Sequence, residues 1–187
     1  EESKCSTVHA HDPQESIPWL DELARTHGGT YSYGPFLEDR SHLLRNHPNA
    51  KDPSLIHLGI DYTVPVGTRV ALPVNGTVAH ILQSESNADG WGGRIIWKID
   101  RDRYLIYGHL EKPLAVAKGA TCRAGDIIGR VGAPNINGGW WPHLHVQIID
   151  EVFFNAYRDA PERIDGYLSS NHPLLTHVID PAEYVRF

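Results

Sequence analysis

The sequence predicts a mainly β fold of antiparallel sheets, preceded by a helical extension and followed by an irregular tail. Two observations predict it. From Leu55 onward, short runs rich in Val, Ile, Tyr and Trp alternate with Gly, Pro or Asn at about eight- to twelve-residue intervals, the rhythm of antiparallel strands and turns. Helical periodicity is confined to Ser16 to His27, where Ile17, Leu20, Leu23 and Ala24 share a face. Ser16 supplies the expected N-cap, Pro18 lies near the first turn, and Gly28 with Gly29 stops the helix.

Taken in order, residues 1–13 are polar and aperiodic, and Asn46 to Ser54, with two prolines, reads as a loop leading into the main body. The candidate strands are Leu55 to Thr63, Arg69 to Ala71, Gly76 to Leu82, Arg94 to Asp100, Tyr104 to His109, Ile127 to Val131 and Leu144 to Ile149. Ala133 to Pro142, with Gly138, Gly139, Trp140 and Trp141, is too long for a tight hairpin and reads as a functional loop. After Asp150 the pattern is irregular, with short elements near Tyr157 and from Pro181 to Val185. A chain of 187 residues suits one core. The expected division is an N-terminal extension at 1–45, a core at 46–150 and a C-terminal extension at 151–187 packed on it.

Composition narrows the function classes. With 41% hydrophobic and 21% charged residues and no apolar run near the roughly 20 residues a bilayer requires, no membrane span is expected. Seventeen basic against twenty-three acidic residues, a net charge of -6, argue against nucleic acid or anionic lipid as partner. Cys5 and Cys122 have no CxxC partner, so they make no cysteine zinc site; they suit either one disulfide in an oxidising compartment or two free thiols. The sequence begins at Glu1 and contains no methionine, which reads as a processed or trimmed product, so the missing signal peptide says nothing about compartment.

Twelve histidines invite a search for metal spacing. In His57-Leu-Gly-Ile-Asp61 the Gly59 and the following Tyr62, Thr63 and Val64 favour extended backbone, which places His57, Gly59 and Asp61 on one face with a cation expected between the two side chains. In Pro142-His143-Leu144-His145-Val146-Gln147 the two histidines share a face while Leu144, Val146 and Ile148 turn toward the core. Two histidines and a carboxylate form a nitrogen and oxygen set suited to zinc, and three ligands leave a fourth position for water. His109, in Tyr107-Gly108-His109-Leu110, ends another candidate strand that can reach the same face. His9 and His11 form a second HxH in a polar tail, and His27, His42, His47, His80, His172 and His177 show no ligand spacing.

These motifs, in this order, resemble the lysostaphin-type (LytM, M23) zinc metallopeptidases that cut peptide cross-links in bacterial cell walls. The resemblance runs from HLGID at 57–61 through Thr63, Pro65, Gly67 and Thr68, the segment 71–78 and YGHL at 107–110, then Gly119, Gly125, 127–129 and Gly132 to ProHisLeuHis at 142–145. It implies a groove between antiparallel sheets and one zinc per chain held by His57, Asp61 and His145, with His143 and His109 as catalytic histidines. A zinc-activated water would attack the scissile carbonyl, one histidine taking its proton and the other meeting the developing oxyanion. The implied reaction is endopeptidase hydrolysis in peptidoglycan cross-links or stem peptides, at a periplasmic or extracellular location if the substrate is cell wall.

Departures from the family pattern concern substrate choice. The usual Gly, Ser and Thr rich loop before HxH is replaced by Asn135-Ile-Asn-Gly-Gly-Trp-Trp-Pro142, and Val146 stands where an aromatic is commoner. Trp140, Trp141 and Asn137 are the expected substrate contacts, and Trp91-Gly92-Gly93 a groove-edge loop. Two other functions fit the same fold: a non-catalytic LytM-like module that binds and activates a separate enzyme, which would be expected to lose ligands, or a zinc hydrolase of another peptide or amide. No GxSxG or HExxH motif is present.

Overall fold

The computed structural model describes residues 12–29, 31–41, 55–83 and 90–185. Cys5, His9, His11, His42, His47 and the expected loop from Asn46 to Ser54 lie outside the described residues, and with Cys5 the question of its pairing with Cys122.

Helix α1 spans Pro13–Thr26, starting four residues earlier than Ser16 as N-cap implies. Asp12 is the cap: its backbone is extended and its carboxylate accepts from Gln14 N at 2.9 Å, while Pro13 fits the first helical position with its preset φ. Pro18 therefore lies inside the helix. The face carrying Ile17, Leu20, Leu23 and Ala24 is half-buried, as its periodicity requires.

The body is antiparallel throughout its described ladders. Strands β1 (Ser32–Gly34), β3 (Gly59–Thr63), β10 (His143–Asp150), β7 (Arg103–Leu110), β6 (Gly93–Lys98), β5 (Gly76–Gln83) and β8 (Thr121–Cys122) form one sheet in that spatial order, and β12 (Val178–Ile179) also pairs with β10. Two ribbons flank it: β2 (Leu55–His57) with β11 (Tyr167–Ser169), and β4 (Arg69–Ala71) with β9 (Ile127–Arg130). The tail is irregular with short elements, as its sequence suggests. It holds α2 (Glu151–Ala156), capped by Asp150 on Phe153 N, as well as β11, β12 and three short 3-10 turns.

Strand alternation divides the apolar residues between two cores. Ile60, Tyr62, Leu105, Tyr107, Leu144, Val146 and Ile148 face one side of the sheet, and Ile96, Tyr104, Ile106 and Ile149 the other, where they meet Leu58, Phe153, Phe154 and Ile164. On this second side α2 and the tail cover one end of the sheet. His143, His145 and Asp61 occupy the other end.

The expected single strand from Leu55 to Thr63 is interrupted. Leu58 N turns away to donate to Gly166 O at 2.8 Å and its side chain enters the second core, so β2 and β3 belong to different sheets. The break has a geometric consequence: in a continuous strand residues four apart are separated by about 13 Å, too far for His57 and Asp61 to share an ion. Bent at Leu58, the chain brings His57 Nε2 to 3.3 Å from Asp61 Oδ2.

Candidate metal centre

Register builds the site row by row. Asp61 on β3 lies opposite His145 on β10, His145 lies opposite Gly108 on β7, and Asp61 lies opposite Gly34 on β1. The row across four strands therefore reads Gly34, Asp61, His145, Gly108. His143 and Gln147 flank His145 on the same face of β10, two residues either way.

His57, Asp61 and His145 bring one donor atom each into a group whose atoms all lie within 4.8 Å of one another. His57 Nε2 is 3.2 Å from His145 Nδ1, and His145 Nδ1 is 2.8 Å from Asp61 Oδ1. Ligands at about 2.0–2.1 Å from a tetrahedral ion are separated by about 3.3 Å, so the group fits a small divalent metal with little adjustment. The outward nitrogens fix the ring tautomers: His57 Nδ1–H donates to Pro35 O at 3.3 Å and His145 Nε2–H to Gln147 Oε1 at 3.0 Å. Each histidine thus turns a lone pair toward the common centre, the arrangement that outer hydrogen bonds impose on metal-ligating imidazoles.

The expected cation position over Gly59 is taken by protein instead. A Cβ at Gly59 would lie 2.8 Å from His145 Cε1 and would collide with the Val146 carbonyl, so the missing side chain makes room for the His145 ring. The metal space lies between the rings of His57 and His145 and the Asp61 carboxylate.

His143 Nδ1–H donates to the Trp141 carbonyl at 2.8 Å, which leaves its Nε2 unprotonated and 3.9 Å from Asp61 Oδ1. The His109 ring is 4.2 Å from that of His143 and stacks on Trp91 at 5.7 Å and 12°. His109 has φ +60, a conformation held by hydrogen bonds from its N–H to Trp91 O and from Gly132 N to its carbonyl. Its Nδ1 is buried with no partner among the described residues. The five histidine and aspartate residues expected in the site are therefore together.

Burial holds the His57 and His143 imidazoles below the ordinary histidine value, against the opposing pull of Asp61. His109 is pushed well below it, by burial first and then by His143 and His145. Burial also opposes ionisation of Asp61, yet the facing His57 and the permanent charge of Arg40 keep its carboxyl well below the usual range. The centre thus sets one carboxylate beside the imidazoles of His57, His109 and His143, which burial pushes toward the neutral form that metal binding and proton acceptance both require.

The expected substrate contacts divide in placement. Trp140 and Trp141 are half-buried, packed edge to face at 5.7 Å, with the Trp141 ring 6.1 Å from His143. Asn137 is fully buried, and its Nδ2 donates to the Trp141 carbonyl that also receives His143. It shapes the loop from inside. The loop touches the Trp91 segment where Gly138 meets Gly90, at a spacing that leaves no room for a Cβ.

Four further residues frame the centre. Gln147 continues the period-two face of His143 and His145, a signal present in the sequence. Trp91 packs edge-on against His145 at 5.1 Å, admitted by Gly108, where a Cβ would lie 2.7 Å from the indole. Arg40 Nη1 donates to Asp61 Oδ2 at 2.6 Å and to Tyr167 Oη at 3.0 Å, and the Tyr167 ring lies 5.5 Å from that of His57. No local pattern marks Arg40 or Tyr167.

A mainly β, antiparallel scaffold with a buried His-Asp-His group that could hold a metal ion defines the class, and comparison with known proteins places the chain within it. Residues 55–156, more than half of the chain, match the model of peptidase family M23, and the chain belongs to that family. It is 35% identical over 91 residues to an uncharacterized metalloprotease of Haemophilus influenzae, and 30% identical over 92 residues to the DD-carboxypeptidase/endopeptidase Mpg of Neisseria meningitidis. Each alignment covers 49% of this chain but only 18% and 20% of those proteins, so the chain spans about a fifth of the curated relatives it matches. In fold it is similar to the catalytic domain of the antimicrobial peptidase lysostaphin from Staphylococcus simulans, with a TM-score of 0.54 and 20% identity over 89% of this chain and 95% of that one.

Proposed function

We propose that the chain is a zinc-dependent endopeptidase that hydrolyses a peptide bond in peptidoglycan cross-links or stem peptides, acting outside the cytoplasm. The observation that carries this reading is the convergence of His57, Asp61 and His145 on one centre, with His143 Nε2 beside it, 3.9 Å from Asp61 Oδ1.

His57 Nε2, Asp61 and His145 Nδ1 would hold the ion, and the two nitrogen donors with one oxygen suit zinc. Bound zinc supplies Lewis acidity that polarises a carbonyl and makes water more acidic. His143 receives the proton of the attacking water at Nε2, since its Nδ1–H is committed to the Trp141 carbonyl. His109, fixed against Trp91, is the second imidazole and donates to the oxygen on which negative charge develops. Trp140 and Trp141 wall the side from which substrate approaches, and Asn137 keeps that wall in place through the Trp141 carbonyl.

Incubating the protein with purified peptidoglycan sacculi of different cross-link types, and identifying the released fragments by mass spectrometry, tests the reading. The expected result is new amino termini at one defined bond, abolished by a chelator and restored by zinc. Absence of release from every wall type would overturn the wall substrate, and release that persists after the metal is stripped would overturn zinc dependence.

A further inference from the structure

The row Gly34, Asp61, His145, Gly108 admits one side chain from outside the sheet at each end. Trp91 enters over Gly108, and Arg40 enters beside Gly34, where a Cβ would overlap its guanidinium. Only 10% of the Arg40 side chain is exposed. Its partners come from three separate places in the chain: Asp61 Oδ2, Tyr167 Oη, and Glu38 Oε2, which accepts from Nε at 2.7 Å. The segment bearing Arg40 is itself tied down, because Leu37 N donates to His57 O, His57 N to Glu38 O and Arg40 N to Leu55 O. An arginine held in this way is a built part of the site.

We infer that Arg40 is a positioning residue for the metal centre: by engaging Asp61 Oδ2 it leaves Oδ1 as the single oxygen offered to the metal, with Tyr167 holding Arg40 in register. This rests on the zinc reading above. A carboxylate free to rotate can chelate with both oxygens and fill a position that water or substrate needs. A short charge-assisted hydrogen bond to one oxygen opposes that: Oδ2, 3.3 Å from His57 Nε2, is engaged by Arg40, while Oδ1, which Arg40 does not touch, is the oxygen 2.8 Å from His145 Nδ1. The arrangement does not set a bare cation against the metal, because Glu38 pairs with Arg40 and offsets its charge. Arg40 precedes the region matched to the family and Tyr167 follows it, so two segments outside that match complete the centre together.

The test compares wild type, Arg40→Gln, Arg40→Lys and Tyr167→Phe for zinc affinity, by competition with a chromogenic chelator, and for the visible spectrum with cobalt(II), whose absorption reports coordination number. Unfolding of the metal-free variants controls for folding. Arg40→Gln is expected to bind zinc about 10- to 100-fold more weakly and to weaken the cobalt bands as Asp61 chelates. Arg40→Lys, with one point donor for two carboxylates, should fall between, and Tyr167→Phe should show the smallest loss. Wild type that takes up no stoichiometric zinc removes the zinc reading itself. Wild type that binds zinc, with Arg40→Gln equal to it in affinity and spectrum, overturns this inference alone. Tighter zinc in Arg40→Gln also overturns it, making Arg40 a competitor for Asp61. Should Arg40→Gln fail to fold, Arg40→Lys decides by the same two readouts.

Discussion

The two faces of strand β10 are equally buried and do opposite things. Leu144, Val146 and Ile148 on one side, and His143, His145 and Gln147 on the other, are each at most 5% exposed. On the first side burial stabilises the fold by about 1.5–3 kcal/mol per side chain. On the second, burying polar rings costs free energy unless their N–H groups are paired, and the pairing is supplied by the Trp141 carbonyl for His143 and by Gln147 for His145. The difference teaches where selection for stability ends: from His143 to Ile148 one strand supplies core packing with its even positions and the polar centre with its odd ones, and substitutions on the two faces should separate the two properties.

The largest separation is expected from His143→Ala. Under the proposed hydrolysis it loses the proton acceptor, and kcat should fall about 10²- to 10⁴-fold, while zinc content and unfolding midpoint stay near wild type because His143 is not among the three converging donors. Wall-digestion rates and metal analysis of the same preparation check this; undiminished digestion would remove His143 from catalysis. On the opposite face Ile148→Ala should do the reverse. Removing a fully buried side chain lowers stability by about 2–5 kcal/mol, read by denaturant unfolding, with one zinc per folded chain retained. Loss of zinc in folded Ile148→Ala would mean that the faces are not separable. Gln147→Leu tests the boundary between them. It removes the acceptor that fixes the His145 tautomer and should weaken zinc about 10- to 100-fold. Stability of the metal-free protein should change little, because the loss of the acceptor for the buried His145 Nε2–H is offset by removal of Gln147 Nε2, which has no partner among the described residues.

The same strand shows what a sequence reveals and what it conceals. Period-two alternation from His143 to Ile149 is a local property, so its face assignment and its two histidines are legible from residue order alone. The partnership of His57 with Asp61 is legible only as an ordered set of motifs. The local pattern implies one continuous strand, whereas the Leu58 break that makes a shared site feasible depends on Gly166, more than a hundred residues later. The helix start is a contest between two capping signals four residues apart, and Asp12 with Pro13 prevails over Ser16 because the proline also satisfies the first helical position. Arg40 and Tyr167 reach Asp61 through register between distant segments, and nothing in their neighbours records that. Trp91 belongs to the same kind: Gly108 in Tyr-Gly-His-Leu is the space for its ring, a role that residue order does not disclose.

The smallest expected effect concerns acid, and it too distinguishes the faces. His57, His109 and His143 titrate in the native chain below the ordinary 6.5, so as pH falls from about 6.5 the unfolded chain takes up protons that the native chain refuses. By linkage, stability of the chelator-treated protein should then fall with acid, with a slope of up to about 1.4 kcal/mol per pH unit for each such group. Asp61 acts lower: its depressed carboxyl contributes stability present above the ordinary 3.8 and lost only as pH drops through the native value beneath it. The first loss near pH 6.5 thus belongs to the histidines. His143→Ala removes one of the three groups and should make the slope shallower by up to about 1.4 kcal/mol per pH unit. Ile148→Ala should shift the whole curve downward with its shape unchanged, because the tyrosines on that face, Tyr62 and Tyr107, are pushed by burial above their ordinary value and so ionise far above this range. Denaturant midpoints between pH 5 and 8 read both effects, and a wild-type profile that is flat across this range would show that the site histidines are not held neutral by burial.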